Sequence, residues 1–146
     1  MKHTLPGDIE RTSMSIIASE LAARGIALPP EHEAVVKRVI HTTADFDYVH
    51  TLRFTPGAVE RGQAALLRGT PIVTDTNMAK AGVSRPCLET LGCGLHCFMA
   101  EPEVARLAKE RGLTRAAVSM DKAAREYPGA VLAVGNAPTA LLRIAE

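Results

Sequence analysis

Residues 69–82 read GTPIVTDTNMAKAG: a short apolar run, a polar exit, then a segment of good helix formers. PIVTD (71–75) is apolar on both sides of an extended chain, as a strand covered on two faces must be. TNMAKAG (76–82) follows it as a short helix or turn. The same order recurs near the end of the chain, where AVLAV (130–134) turns through Gly135-Asn136 into the helix APTALLRIAE (137–146). Short apolar strands separated by helices predict an α/β protein: a three-layer, doubly wound, mostly parallel sheet with helices on both faces.

Upstream of that unit, residues 8–24 (DIERTSMSIIASELAAR) carry Ile9, Ile16, Ile17 and Leu21 at helical spacing, with Gly25 as the stop. Pro29-Pro30 punctuates the chain before a second helix, EHEAVVKRVIH (31–41). VHTLRF (49–54) is a short strand candidate, and AVERGQAALLRG (58–69) returns to helix. Downstream, a strand is expected near GLHCFM (94–99). EPEVARLAKERG (101–112) has Pro102 in its first turn and Gly112 after its end, and TRAAVSMDKAAREYPG (114–129) stops at Pro128-Gly129. Four strands are therefore expected, in one domain covering residues 1–146.

A chain of 146 residues that is 47% hydrophobic suffices for one core. Lys and Arg total 17 against 16 for Asp and Glu, and aromatics are 3%, so no nucleic-acid footprint is present. No apolar run approaches a membrane span, and MKHTLPGDIER lacks a signal-peptide apolar core; a cytoplasmic protein with no membrane partner is expected. Three cysteines without secretion signals argue for reduced thiols. CLETLGCGLHC (87–97) holds Cys87, Cys93, Cys97 and His96, but its spacing matches no paired zinc pattern, so buried structural thiols and no metal site are expected. On a strand, His96 and Cys97 point to opposite faces.

In open parallel sheets, ligands bind beyond the carboxyl ends of the strands. Two exits here are polar: TDTN (74–77) and GNAPT (135–139). Each sets side-chain donors and acceptors, and the free N–H groups of a following helix, at one edge. Helix capping and ligand binding are both open readings there. Neither exit matches a dinucleotide fingerprint or a phosphate loop, so no nucleotide is expected.

RVIHTTADFDY (38–48) raises a different question. At about 100° per residue, Val35, Val36, Val39 and Ile40 share one face of the second helix, and Lys37, Arg38 and His41 share the other. Arg38 and His41 are three apart and hence neighbours. Their face is either solvated or lines a cleft or subunit interface. In the last helical turn, His41 feels the negative end of the dipole, which favours the imidazolium and suits a general acid. Ser13 falls within the apolar stripe of the first helix. A hydroxyl there either bonds a carbonyl of the preceding turn or faces a ligand.

Five stretches in order, IERTSMSIIASEL, RVIHTTADFDY, GTPIVTDTNMAKAG, LTRAAV and AVLAVGNAPTALLRI, cover almost the whole chain. On these the chain resembles the precorrin-8X methylmutase family of cobalamin biosynthesis, its cobalt-precorrin-8 branch included. The resemblance implies an isomerase that moves a methyl group from carbon eleven to carbon twelve of a corrin precursor. The product is hydrogenobyrinic acid, or cobyrinic acid when cobalt is already in place. No separate cofactor is implied.

By the same resemblance, His41 matches the family histidine that protonates or hydrogen-bonds the macrocycle near the migration site. The substrate carries many acetate and propionate arms, which arginine forks suit. Arg38 and Ser13 match family substrate contacts; Arg115, Thr76 and Asn136 are added as further ones. The implied fold is a flavodoxin-like sheet of five parallel strands, usually in a homodimer with the tetrapyrrole near the interface. Family chains normally run on past GNAPTAL through a further apolar strand and a P-V-G-F-V segment ending near E-S-K. A fragment, a second polypeptide supplying the rest, and a shortened relative are the three readings of that difference. A non-catalytic corrinoid-binding or carrier module is the alternative to catalysis.

Overall fold

The computed structural model describes residues 5–146, so the first four residues of the MKHTLPGDIER reading lie outside it. The chain divides into two compact units, Met1–Glu60 and Arg61–Glu146.

The first unit is helical. α1 (Pro6–Ala23) and α2 (Pro30–Thr43) pack through Ile17, Leu21, Val36 and Ile40, all buried. The apolar stripe expected on α1 is split between two tasks. Ile17 and Leu21 enter the core, whereas Ile9 and Ile16 remain 53% and 57% exposed. Gly25, at φ +66°, ends α1: its N–H donates to the Ala22 carbonyl at 3.0 Å, and the Ile26 N–H donates to that of Leu21 at 2.9 Å. This paired closure is the glycine-terminated helix end that an L side chain at Gly25 would strain. α2 ends instead on Ala44, a non-glycine residue at φ 56°, whose N–H reaches the Ile40 carbonyl at 2.8 Å.

The strand expected at VHTLRF is a short helix, α3 (Tyr48–Thr51), followed by extended chain. Val49 and Leu52 are three apart, a spacing that sets them on one face of a helix but on opposite faces of a strand. Both pack on the α1–α2 core together with Phe54, and among the described residues no strand pairs with the segment. Packing against the core therefore overrides β-propensity at this position.

In the second unit, β1 (Ile72–Thr74), β2 (Leu95–His96) and β3 (Val131–Ala133) form a parallel sheet in the order β2-β1-β3. Val73 lies opposite His96 on one side and Leu132 on the other. The described residues thus contain three strands rather than the four expected. The α/β class holds.

Val73 faces a core built with Val104, Ala108, Val118, Ala123 and Ala140, from α7 (Pro102–Arg111), α8 (Arg115–Glu126) and α9 (Pro138–Ala145). Small alanines let these helices approach closely in a protein with few aromatics. Ile72 and Thr74, on the opposite pleat, are buried too, so the central strand is covered on both faces. α4 (Ala58–Leu67), α5 (Asn77–Gly82) and α6 (Arg85–Leu91) complete the chain. α6 was not expected, although Pro86 in its first turn and Gly92 in the left-handed conformation at its end are ordinary helix limits.

Because the chain passes from β2 at one edge across β1 to β3 at the other, the strand order reverses between β1 and β3. Such a switch point opens a crevice at the carboxyl ends of the strands.

Candidate functional site

His41 sits in the last turn of α2, which the left-handed Ala44 terminates. The hydroxyls and carboxylates that follow are occupied locally. Thr42 and Thr43 donate back to the carbonyls of Arg38 and Val39 at 3.0 and 2.8 Å. Asp45 accepts from the Asp47 N–H at 2.8 Å, which starts α3. They shape the helix end and leave the imidazole free to turn toward α1.

There His41 Nδ1 meets the Ser13 hydroxyl at 2.7 Å. Of the two readings open for Ser13, backbone bonding and a face turned to a ligand, the hydroxyl pairs with His41 instead of an α1 carbonyl. Both residues line an open cavity of about 740 Å³ whose walls include Ile9, Ile16 and Phe46. That volume falls within the usual range for small-molecule sites, and apolar walls with a few convergent polar groups are their usual character. The exposed half of the α1 stripe is the floor of this cavity.

Arg38 points elsewhere. Its Nη2 donates to Glu10 Oε1 at 2.6 Å, and it lies outside the cavity lining. The hydrogen bond from Arg38, then its charge, hold the Glu10 carboxyl below its ordinary value; slight burial opposes this and His41 adds a smaller pull in the same direction. Lys37, the third polar residue of that face, pairs with Glu33 one turn back. The α2 polar face therefore divides: Lys37 closes on its own helix, while Arg38 and His41 reach α1.

In the second unit, the two polar strand exits are one structure. Asp75, directly after β1, is fully buried and accepts three backbone N–H groups: Gly135 at 3.0 Å, Asn136 at 2.9 Å and Ala137 at 2.7 Å. Burial pushes the carboxyl up, but the three donors together outweigh it and hold it below the ordinary 3.8. A carboxylate at the positive end of α9 is also favoured by the helix dipole. The junction is tight, since a Cβ at Gly135 would stand 3.3 Å from that of Ala79 and α5 would have to give by a few tenths of an ångström. The N–H groups expected to be free at GNAPT are thus held by Asp75, which was not singled out in the sequence. Its signal was an acid directly at the exit of the central strand.

Thr76 caps α5, accepting the Ala79 N–H at 3.1 Å, and the Asn136 side chain is exposed. Thr76→Ala should lower thermal stability by about 1 kcal/mol, with Thr76→Ser restoring most of it; equal melting of all three proteins would show the cap to be dispensable. Arg115 opens α8 directly after its cap, Thr114, and is exposed. The expected site residues therefore fall into two groups: Ser13, Arg38 and His41 in the first unit, Thr76, Arg115 and Asn136 in the second.

The cysteines depart in part from expectation. Cys93 is buried and its thiol donates to the Leu66 carbonyl at 3.3 Å, but Cys87 is exposed and Cys97 half-buried. Cys87 lies on α6, whose outer surface the unexpected helix creates. Among the described residues, no group of His, Cys, Asp or Glu is placed to hold a metal.

Comparison with known proteins adds the following. The chain matches the model of the precorrin-8X methylmutase family over residues 8–146. It is 41% identical over 145 residues to a cobalt-precorrin-8 methylmutase of Salmonella typhimurium, covering 97% of this chain and 69% of that protein. Cobalt-precorrin-8 methylmutase of Leptospira interrogans is 40% identical over 139 residues, with 94% and 62% covered. Precorrin-8X methylmutase of Pseudomonas aeruginosa is 39% identical over 138 residues, with 94% and 65% covered. A crystal structure of precorrin-8X methylmutase from Thermus thermophilus superposes with a TM-score of 0.81 at 37% identity, over 93% of this chain and 65% of that one. The chain spans roughly two thirds of the length of these relatives.

Proposed function

Because the chain belongs to the precorrin-8X methylmutase family, we propose that it moves a methyl group from carbon eleven to carbon twelve of a corrin precursor. The substrate is precorrin-8X or cobalt-precorrin-8, and the product hydrogenobyrinic acid or cobyrinic acid. The observation that carries this reading is the Ser13–His41 pair at the wall of an open, largely apolar cavity.

The chemistry asks little of a protein beyond placement and polarisation. The bond to carbon eleven breaks as the bond to carbon twelve forms, so no atom enters or leaves and no outside electron is needed. With Nδ1 donating to the Ser13 hydroxyl, the imidazolium presents Nε2–H to the cavity. A hydrogen bond from Nε2 to the macrocycle draws electron density through the conjugated system and favours the product tautomer. Holding the ring in a reactive conformation supplies the rest.

Ser13 is then a positioning residue for His41. Ser13→Ala should lower kcat about ten- to a hundredfold, the loss of one hydrogen bond to a charged group, and should change the pH profile of turnover. Ser13→Thr should recover most of the activity; if Ser13→Ala retains both rate and profile, the positioning role is lost. Arg115, Thr76 and Asn136 are proposed as substrate contacts of the second unit, whereas Arg38 would have to release Glu10 before its fork could take an acidic arm. The two compact units are read as parts of one methylmutase domain, acting as a cytoplasmic homodimer without a separate cofactor. No described helix is long and apolar enough to cross a membrane.

The test is incubation with precorrin-8X, and separately with its cobalt form, while the visible spectrum is followed. Conversion to the product spectrum supports the methylmutase. Tight binding of hydrogenobyrinic acid with no conversion of either substrate favours the corrinoid-carrier alternative, and binding of neither removes both.

A further inference from the structure

The cavity that Ser13 and His41 share has a guanidinium at its wall that no reading of the sequence had assigned. Arg24 caps α1, one residue before the glycine-terminated closure. That closure turns the chain so that the side chain lies across Phe46, with the guanidinium carbon 4.3 Å from the ring centroid. Phe46 is itself packed on the α1–α2 core. The guanidinium face is therefore held against an aromatic ring, which leaves its hydrogen-bonding edge to be used.

That edge is available. The nearest acid, Glu20, stands 3.6 Å away, an ion pair too long for a hydrogen bond, and no side-chain hydrogen bond holds Arg24 among the described residues. Arg24 is also half exposed, at 49%. Arg38 differs on both counts, since Glu10 occupies its fork at 2.6 Å and it does not line the cavity. Among the described residues lining the cavity, Arg24 is the only arginine or lysine.

We propose that Arg24 is the carboxylate receptor of this cavity, taking one acidic arm of the bound ligand in a bidentate pair and so selecting free-acid corrinoids over amidated ones. A planar fork stacked on a ring has little rotamer freedom left to lose, so a carboxylate meets it pre-arranged. Glu20 beside it repels any ligand arm that approaches without engaging the fork. This inference rests on the proposed corrinoid function, and its test separates the two.

Affinities of hydrogenobyrinic acid and of a corrinoid with its side-chain carboxyls converted to amides should be measured for the unaltered protein, Arg24→Gln and Arg24→Lys. The unaltered protein should bind the acid better than the amide. Arg24→Gln should weaken acid binding about 10- to 100-fold and amide binding far less. Arg24→Lys, keeping charge but not the fork, should fall between. Added salt should weaken acid binding to the unaltered protein more than to Arg24→Gln. Equal loss for acid and amide in Arg24→Gln would assign Arg24 to packing on Phe46 and overturn the receptor role. Unchanged acid binding in that variant would overturn it too, while leaving the corrinoid function standing. Failure of the unaltered protein to bind either corrinoid would instead remove the function on which the inference rests.

Discussion

Asp75→Ala should destabilise the Arg61–Glu146 unit by about 3 kcal/mol, measured by chemical denaturation near pH 7. The substitution removes one buried carboxylate and strands three N–H donors, those of Gly135, Asn136 and Ala137. A hydrogen bond to a charged group is worth about 1.5–3 kcal/mol, and an unmet buried donor costs about 1–3. Gly135 and Asn136 are exposed residues, so water entering the emptied position recovers part of that sum. Asp75→Asn should cost about half as much, because its amide oxygen can still serve Asn136 and Ala137 while its NH₂ opposes the Gly135 N–H.

The pH dependence carries a sign. Burial raises the Asp75 carboxyl and the three backbone donors lower it, with a net shift below 3.8. A depressed folded pKa contributes stability that is present above the unfolded value and is lost as pH falls through the folded one. The Asp75 contribution should therefore be constant above about pH 5 and decline below about 3.8. Asp75→Asn should lack that part of the acid limb. An acid limb identical in the two proteins would show that the clamp does not form in solution.

His41→Ala should lower kcat by about 100- to 10,000-fold, the usual contribution of a placed general acid. The reason is positional: Nδ1 is engaged by Ser13 at 2.7 Å, so only one ring nitrogen is presented to the cavity, and no other imidazole lines it among the described residues. Binding of hydrogenobyrinic acid should change only a few-fold, since the apolar walls and Arg24 remain. Following the visible spectrum under single-turnover conditions separates the two effects. Normal turnover by His41→Ala would eliminate the proposed acid. Loss of binding in parallel with turnover would make His41 a binding group instead.

Much of this architecture is legible in the sequence. PIVTD and AVLAV became β1 and β3 because short apolar runs bounded by turn residues suit a parallel sheet, although only β1 is covered on both faces and Leu132 of β3 stays 37% exposed. Pro102 and Gly112 bounded α7 as expected, since proline lacks the N–H that a first turn does not need and glycine tolerates the left-handed end. VHTLRF misled because its β-branched and aromatic residues suit a strand, whereas the three-residue spacing of Val49 and Leu52 suits the short helix that packs on the α1–α2 core. α6, at seven residues, is too short to show a full apolar stripe, so periodicity does not announce it.

The site was legible in its parts and not in its connections. His41 and Ser13 were singled out, and their pairing spans 28 residues. Asp75 and Ala137 are 62 apart, and they merge what read as two separate polar exits. No local spacing sets Arg24 apart in the sequence, and the tertiary structure alone places Phe46 beneath it. Periodicity, caps and breakers act within a few residues of each other, so the sequence by itself determined the α/β class, most helix ends and the chemistry-bearing side chains. Which of those side chains meet depends on how the chain folds back on itself. That was decided only in the tertiary structure, where Ser13 engages His41, Glu10 takes the Arg38 fork, and Arg24 lies over Phe46 at the cavity wall.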